Sequence, residues 1–96
     1  MPVLVAMRAR SSVATAGAMP TVLRSGSYRL FFYSSDRSEP PHVHVERSEC
    51  TAKVWLSPVR IAHDGEMSAS ELRRVLKLVE RHRAELLRSW NEFFGH

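Results

Sequence analysis

The chain has 96 residues, 44% of them apolar, with a formal net charge of +4 and a pI of about 10.0. That is one domain, near the lower end of sizes able to bury a self-sufficient core, and no run approaches the roughly 18 consecutive apolar residues of a membrane span. The single cysteine, Cys50, excludes an internal disulfide, so the fold has to stand on packing, and a reducing cytoplasm is the expected home.

Half of the basic surplus lies in the first 18 residues. Residues 1–18 carry Arg8 and Arg10 and no acid, whereas from Met19 to Gly65 the basic residues are nearly matched by Asp36, Glu39, Glu46, Glu49 and Asp64. The leader is rich in Ala, Ser and Val without a helical or strand period. Its apolar run precedes the arginines and is too short for a secretory signal, although an acid-free, Arg- and Ser-bearing stretch has the composition of a transit peptide. Residues 1–18 are expected to be a disordered extension or the product of an upstream start codon, with Met19-Pro20 as the natural beginning. Residues 19–96 form the single domain.

Extended segments come first. Thr21–Arg24 faces Tyr28–Tyr33 across Ser25-Gly26-Ser27, a hairpin signature. Tyr28, Leu30 and Phe32 fall on one face and Arg29, Phe31 and Tyr33 on the other, so this strand is expected to be central or covered on both sides. After the polar loop 34–41, Pro40-Pro41 fixes the direction of entry into His42-Val43-His44-Val45-Glu46. There His42, His44 and Glu46 share one face and the valines the other. A turn at Arg47-Ser48-Glu49 leads into Cys50–Leu56, with Cys50, Ala52, Val54 and Leu56 facing inward and Thr51, Lys53 and Trp55 outward. Val59–Ala62 reads as a short edge strand before a turn at His63-Asp64-Gly65.

The last third is helical. Ser68-Ala69-Ser70-Glu71 has the form of a capping box, with Met67 and Leu72 placed as a hydrophobic staple. Leu72, Val75, Leu76, Val79, Leu86, Leu87, Trp90, Phe93 and Phe94 keep the helical period, and Gly95 supplies the stop. A break near His82-Arg83 is compatible with the pattern. The fold class expected is α+β: a four- or five-stranded, mainly antiparallel sheet with one long C-terminal amphipathic helix packed on one face.

Three constellations carry chemistry. Histidines at i,i+2 on a strand project side by side and can converge on a divalent metal, with His63, Glu46 or Asp36 as a third ligand; the residues do not otherwise call for a cofactor. The alternatives for the same pair are a structural role, hydrogen-bonding across the sheet, and metal-free ribonuclease or hydrolase chemistry. In the catalytic case His42 and His44 carry protons, Tyr28 donates a hydroxyl, and Arg29 or Arg37 holds phosphate. The second constellation is the helix stripe Arg73, Arg74, Lys77 and Arg81, continued by Arg88. Its charges near the positive end of the helix dipole suit RNA or DNA, or serve simply as a solvated face. The third is Trp55, Trp90, Phe93 and Phe94. These are more aromatic surface than one small sheet face covers, and read either as core or as the site of a protein partner or second copy.

The runs Met19–Arg24, Tyr28–Ser34, Glu39–Val45, Ala52–Leu56 with Pro58-Val59, Leu72-Arg73 and Trp90–Gly95 together resemble the small bacterial family called domain of unknown function 4160. The Pro-His-Val-His-Val stretch is the most specific part. The resemblance implies a cytoplasmic bacterial protein from a two-gene, toxin-antitoxin-like module, with a small cognate protein encoded nearby. It implies no membrane association and assigns no activity, so a catalytic role for His42 and His44 rests on their side-chain chemistry alone.

Overall fold

Alternation and turn chemistry shape the first two thirds of the chain. The computed structural model describes residues 18–95, with side chains from Thr21 onward. Five strands, β1 (Ala18–Ser25), β2 (Tyr28–Tyr33), β3 (His42–Arg47), β4 (Cys50–Leu56) and β5 (Val59–His63), form one antiparallel sheet in the order β1-β2-β3-β4-β5. The sheet is the expected one, and the five strands take up nearly all of the extended segments read from sequence. β1 already includes Ala18, one residue before the boundary placed at Met19; the reading of residues 1–17 as an extension lies outside the described residues.

The β1–β2 connection is tighter than the three-residue link that the sequence suggested. Gly26 takes φ +59, the positive value that a two-residue hairpin loop demands. Between β2 and β3 the loop forms a short 3-10 helix, Ser34–Ser38, instead of open coil. Its Asp36 carboxylate accepts from the Tyr33 backbone N–H at 2.7 Å, which closes the turn.

Two helices, α1 (Ala69–Arg81) and α2 (Arg83–Phe94), replace the single long helix expected. The interruption is one residue, His82 (φ −105°, ψ 14°). It falls in the stretch between Val79 and Leu86 where no apolar residue but Ala84 asks for continuity. Immediately after it, Arg83 reaches back to the β4–β5 turn, donating to the Leu56 carbonyl at 2.7 Å and the Ser57 hydroxyl at 3.2 Å. That anchor fixes where α2 begins.

The helices cover one face only. Leu30, Phe32, Val43, Val45, Ala52, Val54 and Leu56 from the sheet pack with Val75, Leu78, Val79, Leu86, Trp90 and Phe94 into one buried cluster, whose burial is the main source of stability. At the start of α1, Ser68 caps by accepting from the Glu71 amide at 3.1 Å. The reciprocal half of the capping box is spent elsewhere, because the Glu71 carboxylate accepts from the Tyr28 hydroxyl of β2. Gly65 sets the approach to α1: with φ +61, it lies where a Cβ would stand 2.2 Å from the Thr51 carbonyl oxygen of β4.

Candidate functional site

On the face away from the helices, antiparallel register builds a row across the sheet. Phe31 pairs with His44, His44 with Lys53, and Lys53 with His63. Phe31 is nonetheless buried, sandwiched by the Arg29 guanidinium 4.2 Å above its ring, by Tyr33 edge-on at 5.2 Å and by His44 stacked at 5.4 Å. β2 thus lies inside the sheet, between β1 and β3, as one of the two expectations for it had it, and side chains of the same face cover Phe31.

The β2–β3 ladder ends at Phe31 and His44. His42 consequently lies at the margin of the sheet, its ring 5.1 Å from His44, 5.5 Å from Trp55 and 5.2 Å from Trp90 of α2. The ring is wholly buried, touching both the outer face and the helix layer. Two imidazoles do emerge together from one extended segment, and the 3-10 helix folds Asp36 over both. His44 Nε2 lies 3.1 Å from Asp36 Oδ2 and 3.3 Å from Oδ1. His42 Nε2 lies 3.1 Å from Asp36 Oδ1.

These two contacts differ in kind. The His42 Nδ1 is 2.9 Å from the Pro40 carbonyl oxygen, an acceptor only, so Nδ1 carries the hydrogen. In the neutral ring Nε2 then presents a lone pair, and this atom is buried without a hydrogen-bond partner although Asp36 Oδ1 is near. The distance is short but the direction is wrong for N–H donation, so the two atoms lie close without a hydrogen bond between them. For His44, burial pushes the imidazole below its ordinary range, opposed by the Asp36 charge and hydrogen bond. Three donor atoms from Asp36, His42 and His44 lie within 4.8 Å of one another.

Other residues singled out from sequence are placed apart from this cluster. The Tyr28 hydroxyl is on the helix side, bonded to Glu71, and Arg29 is on the opposite face, 2.8 Å from Glu46. Neither reaches the histidines. The ring of His42 exposes nothing to solvent, so a nucleotide-sized substrate has no access to it. Of the third partners considered, Glu46 is held by Arg29 and His63 is exposed at the end of β5, whereas Asp36 is the one that converges.

A second feature lies between the hairpin turn and α1. Ser25, Gly26, Ser27 and Tyr28 form one wall, and Arg74, Lys77 and Arg81, at i, i+3 and i+7, form the other, enclosing a groove of about 370 Å³. Arg73 is exposed beside it and does not line it. Arg74 is 3.6 Å from Glu71. Glu85, one turn on from Arg81, lies 3.3 Å from His82, and among the described residues neither Lys77 nor Arg81 has an acidic partner.

The four aromatics do not form one surface. Trp90 and Phe94 belong to the core and Trp55 is half-buried on the far face, with Lys53 4.9 Å from its ring. Phe93 alone is open, at 42% exposure, beside a hollow it shares with Val22 of β1. No helix among the described residues is long and apolar enough to cross a membrane.

The Pro40-Pro41 entry, the paired rings of β3 and the Trp-bearing β4 are the segments on which the family resemblance rests, and the match to the family described as Domain of unknown function (DUF4160) runs over residues 27–91. The chain belongs to this family. The matched stretch takes in β2 to β5, α1 and most of α2, including Asp36, His42 and His44; the Met19–Arg24 run and Glu92–Gly95 lie outside it. No curated protein and no solved structure matches the chain.

Proposed function

We propose that this DUF4160 protein is the binding component of a two-gene, toxin-antitoxin-like module and docks a small cognate protein along its β1 side. The observation that carries this reading is the groove of Arg74, Lys77 and Arg81 against the hairpin turn, where two of the three cations lack an acid of their own. Cations left uncompensated in a concave site favour an anionic partner and steer its approach. The exposed Phe93, farther along β1 beside Val22, supplies the apolar anchor that a protein partner uses and a phosphate backbone does not. The enclosed ring of His42 weighs against the alternative, a ribonuclease or hydrolase acting through the histidine pair.

Co-expression with the product of the adjacent gene tests the proposal. A complex should survive size-exclusion chromatography, and Lys77→Glu with Arg81→Glu should weaken it about 10- to 100-fold. A protein that elutes as a lone monomer and ignores that neighbour overturns the reading. Affinity for RNA or DNA falling steeply with salt, and lost in the same double variant, would replace it with nucleic-acid binding through the helix stripe.

A further inference from the structure

The Asp36, His42 and His44 cluster lies apart from the β1 side and is not used by the proposed docking. Its geometry is unusual for a purely hydrogen-bonded trio. His42 is fixed by donating Nδ1–H to Pro40, an arrangement that orients a ring and leaves Nε2 as the free donor to a metal. Asp36 is oriented in the same way, by the Tyr33 amide. The buried Nε2 of His42 faces a carboxylate oxygen 3.1 Å away, off the line that a proton would need. Two electron-rich atoms held this close in an enclosed site are unfavourable unless a cation lies between them.

We propose that Asp36, His42 and His44 ligate one divalent first-row transition metal, zinc foremost, through a carboxylate oxygen and the Nε2 atom of each ring. Bonds of about 2.0–2.2 Å at tetrahedral angles hold donors about 3.3–3.6 Å apart. From the single oxygen Asp36 Oδ1 the Nε2 atoms of His42 and His44 lie 3.1 and 3.3 Å away, already near that spacing, while the three donors lie within 4.8 Å of one another, so closing the shell brings the two rings together by about an ångström at most. Two imidazoles and one carboxylate select zinc, iron, cobalt or nickel over magnesium and calcium, which prefer all-oxygen shells. Three protein donors leave a fourth position for water. Phe31, Tyr33, Trp55 and Trp90 pack around the two rings, keeping the shell largely apolar.

The full chain, stripped with chelator and titrated with Co²⁺, should develop visible absorption that saturates at one ion per chain and is displaced by Zn²⁺. Asp36→Asn and His44→Gln should each weaken binding at least about 100-fold with circular dichroism unchanged, while the exposed His63→Gln should leave it as it was. On the wild type, Zn²⁺ should shift the ring nitrogen resonances of His42 and His44 and spare those of His63 and His82, a readout that stands even if a variant unfolds. The proposal fails if Co²⁺ binds the Asp36 and His44 variants as well as the wild type, or if Zn²⁺ leaves the His42 and His44 resonances in place.

Discussion

At the residue scale, two aromatics three positions apart on α2 illustrate how burial decides cost. Trp90, 2% exposed, packs against Phe32, His42 and Phe94 at centroid distances of 5.3, 5.2 and 4.4 Å, whereas Phe93 is 42% exposed. Trp90→Ala should therefore cost about 3–5 kcal/mol in urea denaturation. Phe93→Ala should cost about 1 kcal/mol or less, so a loss of partner binding in that variant reports on the surface and not on the fold.

Acid sensitivity is argued at the same scale. The hydrogen bond from Tyr28, with the charges of Arg47 and Arg74, holds the Glu71 carboxyl below its ordinary value of 4.5 despite some desolvation. A carboxyl depressed in the folded state contributes stability above its unfolded pKa and loses it as pH falls through the folded one. Between about pH 5 and the acid limit, wild-type stability should then fall faster than that of Tyr28→Phe, read from urea midpoints at each pH. Equal slopes would show that Glu71 keeps its depression without the tyrosine.

Among elements, two of the three described glycines of positive φ carry different burdens. At Gly26 an added Cβ meets nothing within 4 Å, and Gly26→Ala should cost about 1–2 kcal/mol for backbone conformation alone. At Gly65 the same atom collides with the Thr51 backbone, so Gly65→Ala should cost more than about 2 kcal/mol and disturb the entry to α1. Comparing the denaturation midpoints of the two variants checks this.

Periodicity made the elements legible: period two placed β2, β3 and β4, and the Ser68 cap and apolar spacing placed the helical segment as a whole, though not its division into α1 and α2. What local pattern could not supply was the path of the 34–38 loop. Asp36 reads equally as a turn former or a ligand, and here it closes the turn through one carboxylate oxygen while both oxygens reach histidines eight and six residues on. Trp90 and Phe94 were ambiguous for a related reason. An apolar arc shows which face of a helix is buried, but only the width of the sheet beneath decides which residues at its margin, such as Phe93, are left over.

For the whole molecule, a partner that recognises only the folded chain must raise its apparent stability by mass action, about 2.7 kcal/mol at a hundredfold excess over the dissociation constant. The complex should melt above the isolated protein, and the Lys77→Glu, Arg81→Glu double variant should lose that increment while melting alone as the wild type does. The strictly sequential strand order has a further effect during synthesis. Each hairpin can zip as soon as its second strand leaves the ribosome, since every pairing is between neighbours along the chain. The two helices that shield Leu30, Phe32, Val43 and Val54 emerge only after the whole sheet. A nascent sheet is therefore left with a greasy side bare until both helices have been made, and that interval is when the polypeptide most needs a chaperone.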